Sequence, residues 1–122
     1  MSERKNNVVM DKSYAFALRI IKLYQYLIAK KKEYVLSTQI LRSGTSIGAL
    51  LNEAEHAQSK ADFLNKMNVA LKEANDTEYW LMLLRDSKYM DEKSYNSIHP
   101  NCSELIKLLA SIVKSTKGSL GR

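Results

Sequence analysis

Three groups of residues in this chain have side chains of the kind that chemistry uses. Glu53 and His56, in NEAEHA, have the i, i+3 spacing at which a helix lends a carboxylate and an imidazole to a di-iron centre. Such a centre takes a second Glu-x-x-His pair and two further inward carboxylates, whereas the other histidine, His99, has Asn96 three residues before it. Glu73, Asp76 and Glu78 form an acidic cluster, but on a helix their spacing sends them to different faces, as surface carboxylates or ion-pair partners rather than an acid/base couple. Cys102 follows His99 by three residues, yet nothing in the sequence arranges an activated nucleophile around it. No catalytic residue, metal site or cofactor is assigned, and the chain reads as a non-enzyme.

Binding chemistry has more to work with. The 19 Lys and Arg outnumber the 13 acids, for a net charge of +6. Residues 1–32 hold eight basic residues against two acids, residues 105–122 hold four against none, and the stretch between is acidic. A basic excess gathered at the two ends of a chain suits a nucleic acid or other polyanion, against the plainer alternative of a solvated face that maintains solubility. The residues expected to contact phosphate are Lys12, Arg19, Lys22, Lys30, Lys31, Lys32, Lys114 and Lys117, with Tyr26 and Tyr34 near the lysine run as possible stacking partners for bases. No base-reading motif accompanies them, so binding to RNA or DNA would be weakly specific and strongly salt-dependent.

The elements that must position these groups are helices. One proline and four glycines in 122 residues leave little material for a turn-rich β fold. Asp11 is placed to cap a first helix to about Lys32, with residues 1–10 and 118–122 expected to fray. That helix carries two apolar stripes: Tyr14, Ala17, Leu18, Ile21, Tyr24 and Ile28, and in another direction Phe16, Ile20, Leu23 and Leu27. A bundle helix needs one apolar face, so two imply a second subunit. The expected interface is Phe16, Ile20, Leu23 and Leu27, joined by Trp80 and Leu83 from the all-apolar run YWLMLL.

Ser37 or Thr38 opens a second helix to about Ala57 with a core line of Ile40, Gly44, Ile47, Leu51 and Ala54. Gly44 and Gly48 each cost about 1 kcal/mol against Ala in a helix interior, which points to close approach of another helix. Ala70 and Ala74, in the thinned seam of the third helix, are placed to receive that crossing. A phosphate loop is the alternative, but the Walker spacing and a preceding strand are missing. Ser59 and Asp62 read as the start of the third helix, roughly 59–88, and the fourth begins near Asp91, with Pro100 interrupting or restarting it. Short connections make one domain over 1–122, an antiparallel up-down-up-down four-helix bundle. Both termini then lie at one end, bringing Arg4, Lys5 and Lys12 toward Lys114, Lys117 and Arg122, with Lys30–Lys32 at the other. A lone cysteine, an N-terminus without a signal-like apolar run and the lack of any membrane-length apolar stretch fit a cytoplasmic protein.

The central segments LRSGTSIGALLNEAE and SKADFLNKMNVALKEANDTEYWLMLL resemble the bacterial four-helix bundle proteins encoded in intervening sequences of large-subunit ribosomal RNA genes. The accessory variability-determinant proteins of diversity-generating retroelements share that fold. The resemblance covers about residues 12–115. It implies a four-helix subunit, assembly into a pentameric ring and no known catalysis; for the retroelement branch it implies a basic surface engaging a reverse transcriptase and nucleic acid. Ser46, Ile47, Gly48, Glu53, Glu73 and Glu78 match and are read as structural, while Leu50 stands where the family commonly has Asn. The sequence thus reads as an oligomeric binding module, with a protein adaptor for an enzyme such as a reverse transcriptase as the alternative and a metal-dependent bundle enzyme as a more distant one.

Overall fold

The computed structural model describes the backbone of residues 3–122 and the side chains from residue 7 onward. Among the described residues there are four helices and no strand: α1 (Glu3–Ala29), α2 (Leu36–Glu55), α3 (Lys60–Asp86) and α4 (Glu92–Ser119). Contacts between neighbours run with opposite polarity. Ile20 and Ser13 of α1 meet Gly44 and Gly48 of α2, Arg42 and Glu53 of α2 meet Glu73 and Lys66 of α3, and Glu78 and Ala74 of α3 meet His99 and Cys102 of α4. The bundle closes where Arg19 and Lys12 of α1 reach Ser97 and Glu104 of α4.

The core line of α2 is the one its spacing predicts. Ile40, Ile47, Leu51 and Ala54 face Met67, Ala70, Ala74, Leu81 and Leu84, with Leu105, Leu109, Ile112 and Val113 completing the interior. The first helix differs from expectation. Phe16, Ile20 and Leu27 are buried at 1%, 0% and 0% exposure within the single chain, continuing a line from Val9 and Ser13, so they are core residues and cannot present an interface to a second subunit. Leu23 packs half-buried against the same core. Of the other stripe, Tyr14, Leu18 and Ile21 are 69%, 47% and 37% exposed, while Ala17, Tyr24 and Ile28 are half-buried.

Gly44 explains how α1 is seated. A Cβ there would stand 2.8 Å from Cγ1 and 2.9 Å from Cγ2 of Ile20, too close for any real contact. The helix that presses most closely on Gly44 is therefore α1, through Ile20, rather than α3 at Ala70 and Ala74. Both alanines are fully buried, and the Ala74 carbonyl lies 3.5 Å from Cys102 Sγ of α4.

Helix ends show what the local sequence concealed. α1 does not start at Asp11; it continues back to Glu3 because Val9, in the extra turns, is buried in the core. Of the residues expected to fray at that end, 1 and 2 lie outside the described residues. α2 is capped neither by Ser37 nor by Thr38. The carboxylate of Glu33 reaches forward and accepts from the amides of Val35, Leu36 and Ser37 at 3.2, 3.0 and 2.7 Å. Ser59 and Asp91 do cap α3 and α4, accepting from Asp62 N and Ser94 N. At the C-terminus Gly121, at φ 72°, closes α4 as Arg122 N donates to Lys117 O and Gly121 N to Gly118 O, the two bonds of a Schellman cap. Pro100 neither interrupts nor restarts α4, which is helical through it. In the turn that proline disturbs, the Arg19 guanidinium donates to the carbonyl and hydroxyl of Ser97 at 2.9 and 2.8 Å and to Asn101 Oδ1, bracing the segment from α1.

Candidate nucleic-acid interface

The antiparallel topology puts the α1–α2 turn and the α3–α4 turn at the same end of the bundle. Lys30, Lys31 and Lys32 are exposed there, and Lys31 lies close enough to Asp91 of the second turn to help hold that carboxyl below its usual range, behind the larger effect of its bonds to Ser94. Lys22 and Tyr26 precede Lys30 at four-residue steps, forming one exposed line on α1, with Tyr26 45% exposed. Among the described residues, none of Lys22, Lys30, Lys31, Lys32, Lys114 and Lys117 is held in an ion pair, and all six are exposed. An unpaired surface ammonium is what a phosphate contact requires.

Two of the expected phosphate ligands are otherwise employed. Arg19 is half-buried and spends its guanidinium on Ser97 and Asn101, which makes it a brace between α1 and α4. Lys12 lies 3.2 Å from Glu104 Oε1, part-way along α1 rather than at the bundle end. The basic groups that topology gathers at the terminal end are Lys114, Lys117, Arg122 and Lys60, the last bonded to Ser119 Oγ. Arg4 and Lys5 belong to this end by sequence, and their side chains lie outside the described residues.

The residues whose side chains could serve catalysis are placed apart. Glu53 pairs with Lys66 across α2 and α3 while His56 is exposed. His99 stands 3.0 Å from Glu78 Oε2 and stacks on Tyr95 with ring centroids 4.9 Å apart, and Arg85 covers the other ring at 4.4 Å. Among the described residues no three His, Cys, Asp or Glu side chains form a group that could hold a metal ion. Cys102 is fully buried, and that burial, with a smaller contribution from Glu78, pushes its thiol up to about 12. A thiolate is what reacts, so Cys102 is expected to resist alkylation at neutral pH in the native protein and to label completely after denaturation. Rapid labelling of the native chain would contradict this placement.

Glu73 is the acid with a structural role that the spacing of the acidic cluster leaves unspecified. Only 5% exposed, it accepts from Arg42 at 2.8 Å and from the Ser46 hydroxyl at 2.7 Å, with Lys72 Nζ 3.6 Å away. Next to it, Thr77 Oγ1 lies 2.9 Å from Ser43 Oγ. Burial raises the Glu73 pKa, but the Ser46 and Arg42 bonds and the two positive charges outweigh it and leave the carboxyl below 4.5. A depressed folded-state pKa contributes stability that is full above the unfolded value and is lost as the pH falls through the folded one. Replacing Glu73 by Gln is therefore expected to lower Tm at neutral pH and to flatten the fall in Tm below about pH 4.5. Parallel acid limbs in the wild type and the variant would refute that assignment.

Trp80 and Leu83 are both half-buried, Trp80 against the core, and the Trp80 indole Nε1 is the one buried side-chain polar atom without a partner among the described residues. No helix among the described residues is long and apolar enough to cross a membrane.

The described residues thus form an all-helical, four-helix bundle with a buried thiol and a run of lysines outside ion pairs. The chain belongs to the 23S rRNA-intervening sequence protein family, whose profile matches residues 5–111. It is similar to a crystal structure of a protein of unknown function from the S23 ribosomal protein family of Bacteroides thetaiotaomicron VPI-5482, at 59% identity. The match covers 90% of this chain and 98% of that one, with a TM-score of 0.88. No protein of curated function matches the chain.

Proposed function

We propose that the protein is a non-enzymatic assembly module that binds nucleic acid through the lysines at the α1–α2 end of the bundle. The observation that carries this reading is the unpaired cluster Lys30, Lys31 and Lys32, extended along α1 by Lys22. Three consecutive exposed lysines, none held in an ion pair, concentrate positive charge that an external polyanion would stabilise. Sequence selectivity is expected to be low, because nothing on this surface is arranged to read base edges.

A homo-oligomer, in the pentameric ring that the family resemblance implies, would repeat this cluster around an axis and multiply its local charge. With Phe16, Ile20 and Leu27 committed to the core, the α1 surface left for a second copy is Tyr14, Leu18 and Ile21, with Trp80 and Leu83 as further candidates. The same exposed apolar stripe favours a second reading, in which it docks a protein partner such as a reverse transcriptase and nucleic acid is not touched.

Binding of the purified protein to structured RNA and duplex DNA across a salt series separates the two readings. The nucleic-acid reading predicts affinity that falls steeply with salt, by about 0.9 in log K per log salt for each duplex phosphate contacted. Absence of binding even at low salt would remove it and leave the protein adaptor.

A further inference from the structure

The turn between α1 and α2 displays its apolar side chains while its backbone is tied down. Tyr34 and Val35 are 59% and 71% exposed. Yet the Leu27 carbonyl accepts from both Lys31 N and Glu33 N, the Glu33 carbonyl accepts from Ser37 Oγ at 2.7 Å, and the Tyr34 carbonyl accepts from Thr38 Oγ1 at 2.8 Å. The Glu33 carboxylate, itself buried, holds the three amides that follow. A floppy turn would lose entropy on gripping a ligand; this one has already been ordered by its own hydrogen bonds. Because Glu33 fills the N-terminus of α2, no free helix end remains there for a phosphate. Anion binding falls to Lys30–Lys32, and Tyr34, two residues beyond Lys32 and 59% exposed, lies in the same turn.

We propose that Tyr34 is a stacking platform for an unpaired base, so that this end of the bundle selects single-stranded over duplex nucleic acid. The inference rests on the nucleic-acid reading above and adds the class of strand. Lysines satisfy phosphates in any polyanion, but an aromatic face is useful only to a base that is not already stacked inside a helix. Tyr26, on the line from Lys22 to Lys30, offers a second ring along the path of the backbone. An anionic membrane is the other surface that lysines beside Tyr and Val could meet. A peripheral membrane helix, however, lays a long apolar face into the interface, whereas beside Lys30–Lys32 the turn offers only Tyr34 and Val35, and the exposed stripe Tyr14, Leu18 and Ile21 lies further back along α1.

The test uses the full chain with three probes: a labelled oligouridylate, a blunt RNA duplex of matching length and phosphatidylserine vesicles. Tyr34 is exposed, so its replacement leaves the fold intact, which an unchanged Tm verifies. Tyr34→Ala is expected to weaken oligouridylate binding about 5- to 150-fold, the equivalent of roughly 1–3 kcal/mol for one stacked base, with duplex affinity unchanged. Tyr34→Phe is expected to retain oligouridylate binding within about twofold, since the ring rather than the hydroxyl stacks. Equal loss on both nucleic acids, no loss on the single strand, or binding to vesicles in preference to oligouridylate would each overturn the proposal. If both nucleic acids bind with a salt-dependent affinity that Tyr34→Ala does not alter, the stacking site is wrong and the polyanion reading survives. If neither binds, both fall together.

Discussion

Phe16→Ala is expected to destabilise the bundle by about 3–5 kcal/mol, the cost of emptying a fully buried phenyl site. The ring is 1% exposed in the isolated chain, at the centre of the line Val9, Ser13, Phe16 and Ile20 that α1 turns inward. Leu18→Glu, two residues on, is the matched control. Leu18 is 47% exposed, so the charge meets water and the stability of the single chain should hardly change. If copies of the chain associate through that stripe, Leu18→Glu lowers the mass in solution while leaving the helical signal intact, and Phe16→Ala lowers Tm first. Light scattering and thermal melts on the two variants separate these outcomes. A Phe16→Ala protein that melts like wild type but has fallen apart into monomers would restore Phe16 to the interface.

The second large effect is expected at Gly44. Introducing a methyl group by Gly44→Ala places carbon inside contact distance of both γ carbons of Ile20, a β-branched, fully buried side chain with little freedom to swing aside. Overpacking of this kind costs about 1–3 kcal/mol, against a gain of about 1 kcal/mol in helix propensity. Gly44→Val adds further bulk without that gain and should cost more. Ile20→Ala removes the atoms in conflict, so the double variant Ile20→Ala with Gly44→Ala is expected to be more stable than the sum of the single changes by about 0.5–3 kcal/mol. Strict additivity in denaturant melts would show that α1 does not pass over Gly44 as described.

These two sites also show what a reader of the sequence could and could not see. The periodicity of α2 points to the right face because its apolar stripe lies opposite polar positions; in α3 the all-apolar run YWLMLL blurs the stripe, and of its six residues only Leu81 and Leu84 are buried. α1 has two stripes of similar hydrophobicity, and spacing alone does not rank Phe16, Ile20 and Leu27 against Tyr14, Leu18 and Ile21. The extension of the first stripe back through Ser13 to Val9 was the available signal; the deciding one, Gly44 opening room for Ile20, is tertiary. The same burial of Val9 draws polar residues ahead of Asp11 into helix, where weak local propensity yields to packing. Glu33 was hidden as a cap because it acts from before the helix it serves. Among the basic residues, exposure of the Lys30–Lys32 run follows from its place in a turn. The loss of Arg19 to Ser97 and Asn101 depends on a partner 78 residues away and leaves no local mark.

The most direct test of the central claim is RNA binding by a protein in which Lys30, Lys31 and Lys32 are each changed to Glu, compared with one carrying Lys114→Glu and Lys117→Glu at the opposite end. All five lysines are exposed and outside ion pairs, so both proteins should fold and keep the wild-type mass. The account predicts that the triple change abolishes salt-dependent binding, while the double change weakens it only through net charge. Equal binding by the triple variant and the wild type, at the same mass in solution, would contradict the assignment of this surface.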